Sequence, residues 1–168
     1  MNRVEKLFYK IANARLKINP DKCKFLLPEV KFLGHIINAE RIRTDDSKIE
    51  AIKNFERPKC VKHVRSFLGL ANYYRKFIKD YSKYSRPLES LINVKNNKIV
   101  WTEVCDKTFT ELKNKLMNTP ILKYPDFSKE FILDTDASFD SIGAVLSQID
   151  RKGQERVIAF GSKSMTKH

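Results

Sequence analysis

The chain has 168 residues, enough for one domain or two small ones, and 42% of them are apolar, which suffices for an ordinary core. No apolar run approaches the ~20 residues of a membrane-spanning helix, so the sequence predicts no membrane span. Lys and Arg outnumber Asp and Glu by 33 to 20. This net charge of +13 favours an acidic partner such as nucleic acid.

The cysteines and the N-terminus indicate the compartment. Cys23, Cys60 and Cys105 are odd in number, far apart and without CxxC spacing. They fit structural thiols in a reducing compartment better than disulfides or a zinc site. Because MNRVEKLFYK lacks the apolar core of a signal peptide, we expect an intracellular protein.

The N-terminal segment begins with a helical apolar stripe over residues 3–15. The NPD sequence at 19–21 predicts a turn. The segment from Cys23 to Leu27 then predicts a strand, which Pro28 stops.

Residues 30–38 read VKFLGHIIN, a run of β-branched residues around Gly34. A glycine inside a strand marks a bulge or a close backbone approach, so we expect a hairpin or a bent strand. No second His, Cys or carboxylate lies at ligand spacing from His35. The sequence therefore favours an ordinary surface histidine at this position over a metal ligand.

Thr44 or Asp45 can cap the next helix, which Pro58 ends. The apolar side of that helix is formed by Ile49, Ile52 and Phe55.

Residues 57–86 form a strongly basic stretch, with nine Lys or Arg against the single acid Asp80. A helical period of 100° per residue divides the stretch into two arcs. The apolar arc contains Val61, Val64, Phe67, Leu68, Leu70, Ala71, Tyr74, Phe77 and Ile78. The opposite arc contains Lys62, Arg65, Ser66, Gly69, Asn72, Tyr73, Lys76 and Lys79.

Arg65, Gly69 and Tyr73 are spaced i, i+4, i+8 and so form one stripe on the exposed arc. A glycine costs a helix about 1 kcal/mol relative to alanine, and close approach of a partner backbone explains it here. Nucleic acid fits this pattern, because cations neutralise phosphates while a small residue and a flat ring can lie in a shallow groove. The alternative is a solvated lysine-rich face.

Arg86-Pro87 is predicted to break the basic helix, and LESLI at 88–92 then forms a short one before the polar loop Asn93–Lys98. Trp101 is expected on a short strand. Thr102 can cap a further helix. The core face of that helix is predicted to consist of Cys105, Phe109, Leu112 and Leu116.

The pattern changes after residue 118. Residues 1–118 contain 26 basic and 13 acidic groups, whereas residues 119–168 contain seven of each. The prolines of 119–126 form a hinge-like junction. Beyond it, three strands at 131–136, 142–148 and 156–162, with a tight turn at Asp150–Gly153, predict an antiparallel meander.

Alternation places Ile132, Asp134 and Asp136 on one face of the first of these strands. Two carboxylates on an otherwise apolar strand are unusual, because buried ionised acids are costly unless paired or bound to metal. One such acid can begin a Mg²⁺ site, but a two-metal site needs further carboxylates. A solvated Asp at a strand end is the alternative for Asp136, and Asp140 is an ordinary turn residue.

Several motifs occur in the same order as in the pol polyproteins of gypsy-type LTR retrotransposons, which the chain strongly resembles. They cover nearly the whole chain and are KINPDKCKF, VKFLGHIIN, VRSFLGLANYYRKFI, PLESLI, VWTEVCDKTFTELKNKL, PILKYPDFSKEFILDTDAS and IGAVLSQ.

The resemblance implies an α+β fold in three parts. Residues 1–43 would end the reverse transcriptase palm, 44–118 would form the thumb and connecting helices, and 119–168 would begin a ribonuclease H-like domain. Asp136 would match that domain's first metal-binding aspartate, with Mg²⁺ as the cofactor. The implied nucleic-acid contacts are Phe32, Leu33, Gly34 and His35 of the primer grip, and Lys62, Arg65, Gly69, Tyr73 and Lys76 of the thumb.

The expected function is binding of a template-primer, as an RNA–DNA hybrid or a DNA duplex, within an RNA-directed DNA polymerase. The YxDD turn of the family's polymerase site does not occur in the sequence, nor do the later ribonuclease H acids. We therefore expect the chain alone to be inactive. Its expected partners are nucleic acid and the remainder of a pol polyprotein. Two alternatives stay open: a host-adopted, non-catalytic RNA- or DNA-binding protein, and ribonuclease H activity gained from a partner that supplies the missing acids.

Overall fold

The computed structural model describes residues 2–39, 41–93 and 98–165. Within these ranges the chain forms five α-helices and two antiparallel sheets, which confirms the α+β class. The described part of the chain contains no helix of the length and apolar character that a bilayer crossing needs.

Helix α1 spans Arg3–Asn13, close to its predicted range. Its N-cap is Asn2, which forms a reciprocal capping box with Glu5. None of its residues is buried, so its apolar stripe faces outward.

The strand predicted at Cys23–Leu27 is wrong. A short 3₁₀ turn occupies Pro20–Lys22, and the Cys23 thiol donates back to the carbonyl of Asn19 at 3.3 Å. Leu26 then has a φ of 54°, a left-handed conformation that interrupts extended backbone. The segment is irregular for these two reasons.

The first sheet has the order β1-β2-β3-β4. Its strands are β1 (Glu29–Phe32), β2 (His35–Asn38), β3 (Arg41–Thr44) and β4 (Leu122–Lys123). Of the two forms expected for residues 30–38, a hairpin or a bent strand, the structure has the hairpin. Its two-residue turn has positive φ at Leu33 (46°) and Gly34 (72°), as a type I′ turn requires.

Strands β3 and β4 were not predicted. Arg41 pairs with Lys123 and Ile42 pairs with Leu122. The junction interpreted as hinge-like therefore contributes a strand to the first sheet instead of forming a free linker.

The four remaining helices are α2 (Asp46–Lys53), α3 (Val61–Tyr73), α4 (Tyr81–Ser90) and α5 (Glu103–Met117). Asp45, one of the two predicted alternatives, caps α2. The helix ends at Lys53, so the predictions that it includes Phe55 and continues to Pro58 are wrong. The basic helix is shorter than its helical wheel implied, because a 3₁₀ turn at Arg75–Phe77 follows α3. The predicted burial of its apolar arc is nevertheless confirmed for every member except Leu70, which is half-buried.

The helix break predicted at Arg86-Pro87 is wrong, because α4 runs through Pro87. Proline removes one helical N–H donor. The helix persists because Ser82, Ser85 and Leu88 are buried against neighbouring elements. Of the predicted loop Asn93–Lys98, residues 94–97 lie outside the described ranges.

The strand predicted at Trp101 is also wrong, since residues 98–101 are irregular. Trp101 instead donates its indole N–H to Asp106 at 2.9 Å, and the Arg57 guanidinium lies 5.1 Å from its ring centroid. Thr102 caps α5 as predicted, accepting from the Cys105 N–H at 3.3 Å. The predicted core face of α5 is buried at all four positions.

The second sheet is the predicted meander, in the order β5-β6-β7. Its strands are β5 (Ile132–Ala137), β6 (Ser141–Ile149) and β7 (Glu155–Ser164). The turn at Asp150–Gly153 is closed by the Gly153 N–H donating to Asp150 O at 3.2 Å.

One apolar core joins helices α2 to α5 to both sheets. Buried residues of α2 to α5 pack with Leu122 of β4, and Val157 and Phe160 of β7 pack against them. At the start of α4, the Ser82 N–H donates to Ser162 Oγ at 2.9 Å. Arg86 pairs with Asp140 at 2.8 Å, so polar contacts also connect α4 to the second sheet.

Candidate nucleic-acid interface

Helix α3 has one buried and one exposed face. Phe67 is fully buried, while Lys62, Arg65, Gly69 and Tyr73 are exposed on the opposite side. A Cβ built on Gly69 would meet no described atom within 4 Å. Nothing in the described chain therefore requires glycine at this position, which leaves the helix surface open to an outside partner.

The turn between β1 and β2 presents two apolar side chains to solvent, with Phe32 58% and Leu33 69% exposed. Gly34 is required here for two reasons. Its φ is left-handed, and a Cβ at this position would lie 2.9 Å from the Tyr74 hydroxyl.

Two consecutive tyrosines at the end of α3 hold this turn. Tyr73 Oη donates to the carbonyl of Leu33, and Tyr74 Oη donates to the carbonyl of Gly34 at 2.9 Å. Burial, with smaller contributions from the nearby Tyr73 and Asp45, raises the pKa of Tyr74 to about 12. The Tyr74 hydroxyl therefore keeps its proton, and its role as donor, at neutral pH.

His35 lies beneath the turn and is only 8% exposed, so the interpretation as a surface histidine is wrong. Its ring stacks on Tyr73 at 5.2 Å between centroids and meets Tyr74 edge-on at 5.5 Å. Burial, and secondarily the charge of Lys76, lowers the pKa of His35. Its Nδ1 has no hydrogen-bond partner among the described residues. His35 is therefore neutral at pH 7 and supports the turn from within.

Lys76 is half-buried just after α3, with Nζ 5.3 Å from the Phe77 ring centroid. Burial lowers the pKa of Lys76. The predicted nucleic-acid contacts of the β1–β2 hairpin therefore lie close to Tyr73 and Lys76, two of those predicted on the basic stretch. Arg65 lies eight residues before Tyr73 on the same face, about 12 Å along the helix axis.

The sequence did not reveal the role of Tyr74, which it assigned only to the apolar arc. A signal was present, because a buried tyrosine generally needs a partner for its hydroxyl where phenylalanine would not. The identity of that partner, a carbonyl 40 residues away, is set by how the hairpin packs on α3.

Asp134 and Asp136 share one side of β5, as predicted, but both are exposed, so the expected cost of burying them does not arise. Asp140 is not simply a solvated turn residue, because it pairs with Arg86. Among the residues the structure describes, no three His, Cys, Asp or Glu side chains form a group able to hold a metal ion. These residues therefore do not fit a complete two-ion site.

A family model described as the RNase H-like domain found in reverse transcriptase matches residues 101–168. Over longer stretches the chain is similar to Pol polyproteins of transposons. It is 41% identical over 167 residues to that of transposon 412 of Drosophila melanogaster, which covers 99% of this chain and 13% of the polyprotein. It is 39% identical over 152 residues to the Pol polyprotein of the Drosophila melanogaster transposon gypsy, a match that covers 84% of this chain and 15% of the polyprotein. Its identity to the Tf2-3 polyprotein of Schizosaccharomyces pombe is 35%, and that match covers 99% of this chain and 12% of the polyprotein.

The chain therefore spans only a small part of the length of these curated relatives. Among solved structures it is similar to the foamy viral protease-reverse transcriptase dRH in complex with double-stranded DNA, with a TM-score of 0.78 and 27% identity. That match covers 97% of this chain and 28% of the viral chain. The foamy viral protease-reverse transcriptase in complex with an RNA/DNA hybrid gives the same TM-score and identity, and the match covers 22% of that chain.

Proposed function

Because this chain belongs to the Pol polyproteins of LTR retrotransposons, with an RNase H-like region of the reverse transcriptase type, we propose that it binds a template-primer duplex. The solved relatives carry double-stranded DNA or an RNA/DNA hybrid, which supports nucleic acid as the partner. The activity of the whole polyprotein to which we assign this segment is RNA-directed DNA synthesis.

The observation that carries the proposal is the joining of the β1–β2 turn to the end of α3 by two tyrosine hydroxyls. This contact makes the turn and the exposed stripe of α3 one continuous surface. Phe32 and Leu33 would contact the primer strand from the turn. Lys62, Arg65 and Lys76 would neutralise phosphates, while Gly69 and Tyr73 would lie against the minor groove.

In the same proposal, residues 1–43 end the palm, 44–118 form the thumb and connecting helices, and 119–168 begin the ribonuclease H-like part. The family model starts earlier, at residue 101, where α5 is about to begin. A boundary at 119 is therefore a division by sequence pattern and charge.

We propose that the 168-residue chain binds without polymerising DNA or cutting RNA. Proteins of this family use divalent metal ions in general, and Asp136 is our candidate for one Mg²⁺ ligand. Two-ion chemistry needs several carboxylates around both ions, whereas Asp136 is not grouped with two further ligands among the described residues.

The test is fluorescence anisotropy of the chain with a labelled RNA–DNA hybrid at several salt concentrations. Each phosphate neutralised contributes about −0.9 to the slope of log K against log salt, so we expect a steep line. A flat plot would contradict binding through the basic surface.

Variants separate groove docking from positive charge alone. Arg65→Ala and Tyr73→Ala should each weaken duplex binding by about 1–3 kcal/mol, whereas Lys79→Ala, beyond the end of α3, should cost less. Gly69→Leu leaves the charge unchanged and favours the helix, yet it should weaken binding while raising thermal stability. Equal losses for Arg65→Ala and Lys79→Ala, with Gly69→Leu neutral, would leave only nonspecific electrostatics.

A further inference from the structure

A second basic surface lies away from α3, in a cleft of about 860 Å³ between the first sheet and the β6–β7 hairpin. Its cations are Arg41, Lys123, Lys129, Arg151, Lys152 and Arg156. The only acids lining it are Asp126 and Asp150, counted over the described residues. The segment 119–168 is neutral in total, yet five of its seven cations line this cleft.

The cleft is distinct from the proposed duplex surface. In β3, Thr44 pairs with His35 beside the β1–β2 turn, whereas Arg41 is at the opposite end of the strand and pairs with Lys123. The turn and the cleft are thus at opposite ends of the first sheet.

One wall of the cleft is a loop fixed by the buried side chain of Gln148. Its Nε2 donates to the carbonyls of Asp126 at 2.9 Å and Lys129 at 3.3 Å, and its Oε1 accepts from the Asp126 N–H at 2.9 Å. The Asp126 carboxylate in turn accepts from the N–H and hydroxyl of Ser128, and these bonds lower the pKa of Asp126. The loop backbone is therefore held in one conformation.

This fixed loop exposes Phe127, which is 85% accessible and whose ring centroid lies 5.9 Å from that of Phe131, itself an exposed residue. An exposed ring on a preorganised backbone loses little entropy when a flat partner stacks on it. Base stacking on such a ring beside cations is the usual arrangement for single-stranded nucleic acid.

The other wall is the β6–β7 turn, which is organised by Asp150. Its carboxylate accepts from the N–H groups of Lys152 and Gln154 and from Arg156 Nε at 3.0 Å. These bonds lower the pKa of Asp150 to about 2. The negative charge of Asp150 is thus compensated by donors within the turn. Arg151 and Lys152 are exposed at the tip of the turn.

We propose that this cleft binds a single-stranded segment of DNA or RNA, with one base stacked on Phe127. Its phosphates would lie on the cations that are not paired with Asp150, which are Arg41, Lys123, Lys129, Arg151 and Lys152. A duplex is a poorer occupant, because its bases are already stacked and paired and leave no free face for a protruding ring. The proposal is independent of duplex binding at α3.

The test uses the 168-residue chain and a fluorescein-labelled oligo(dT) of about twelve nucleotides, a length within the usual range for one such site. Phe127→Ala should weaken oligo(dT) binding about tenfold and leave RNA–DNA hybrid binding unchanged. Phe127→Trp should restore binding, because the indole also stacks. Since Phe127 is exposed, both variants should keep the parent melting temperature.

A double variant tests the charges. Arg151→Glu with Lys152→Glu should weaken oligo(dT) binding and flatten its salt dependence. Lys6→Glu with Lys107→Glu, two exposed positions outside the cleft, changes the net charge equally and should have much less effect. Unchanged oligo(dT) affinity in Phe127→Ala, equal losses in the two charge variants, or loss of oligo(dT) binding in Arg65→Ala would each overturn the proposal.

Discussion

Helix α3 and strand β5 carry the two most distinctive motifs of the chain, and their surroundings differ. Beneath α3, Phe67 is fully buried, and the β1–β2 turn extends the exposed face. On β5, Leu133 is 63% exposed on one side, and Asp134 and Asp136 are exposed on the other. A binding surface can thus be completed within these residues, whereas a metal site needs carboxylates brought together from separate segments.

The largest expected effect is on the free energy of unfolding, and it should differ between α3 and β5 because only α3 has a fully buried side. Phe67→Ala should lower the free energy of unfolding by about 3–5 kcal/mol, because a fully buried ring leaves a cavity. Leu133→Ala should change it by no more than about 0.5 kcal/mol, since that side chain is largely solvated. Urea unfolding of both variants measures the difference, and similar losses would remove the distinction.

The second prediction concerns the turn that completes the α3 surface. Gly34→Ala places a methyl group against the Tyr74 hydroxyl in a left-handed conformation, which should cost about 2–3 kcal/mol of stability and weaken duplex binding. Gly153 is the matched control, because its φ is 75° but a Cβ there meets no described atom within 4 Å. Gly153→Ala should cost about 1–2 kcal/mol and leave binding intact. A Gly34→Ala protein that binds the hybrid normally would show that the turn is not part of the interface.

A pH titration should act on the α3 side alone. Because burial lowers the pKa of His35 below its ordinary 6.5, the folded state binds fewer protons there than the unfolded state. Its contribution to stability is therefore complete above pH 6.5 and is lost as the pH falls from there through the lowered pKa. Urea midpoints between pH 7.5 and 5, a range that extends about one unit above and one and a half units below the ordinary pKa of about 6.5, should fall less in His35→Phe. Equal slopes in the two proteins, which share the other histidines, would exclude this role for His35.

The smallest effect is expected on β5. Asp136→Asn should leave duplex affinity unchanged, and the parent chain with primer-template, Mg²⁺ and nucleotides should neither extend primer nor cut hybrid RNA. Turnover that Asp136→Asn abolishes would contradict our proposal of an incomplete site. Turnover that survives the substitution would point to contamination.

The sequence predicted those elements whose pattern is local. The four buried core positions of α5 recur at a helical spacing, and three strand-like runs separated by turn residues indicate the β5–β7 meander, although both faces of β5 are largely exposed. The exposed stripe of α3 was predictable for the same reason.

The errors occurred where distant contacts decide. Strand β3 reads RIRT, in which charged residues obscure the strand pattern. It pairs with β2, close by in the chain, but its other neighbour is β4, some 80 residues later. Pro87 remains helical because α4 packs on its neighbours. The burial of His35 likewise depends on Tyr73 and Tyr74, which the sequence separates from it by almost 40 positions.

The contacts of α4 with the second sheet bear on how the molecule melts. The Ser82–Ser162 hydrogen bond and the Arg86–Asp140 pair link the strongly basic segment to the neutral one, and Leu122 lies in the core that both share. Segments that share a core lose their structure together, so calorimetry should record one cooperative transition. The boundary at residue 119 then separates charge and surface chemistry, while the two sides of it form a single thermodynamic unit.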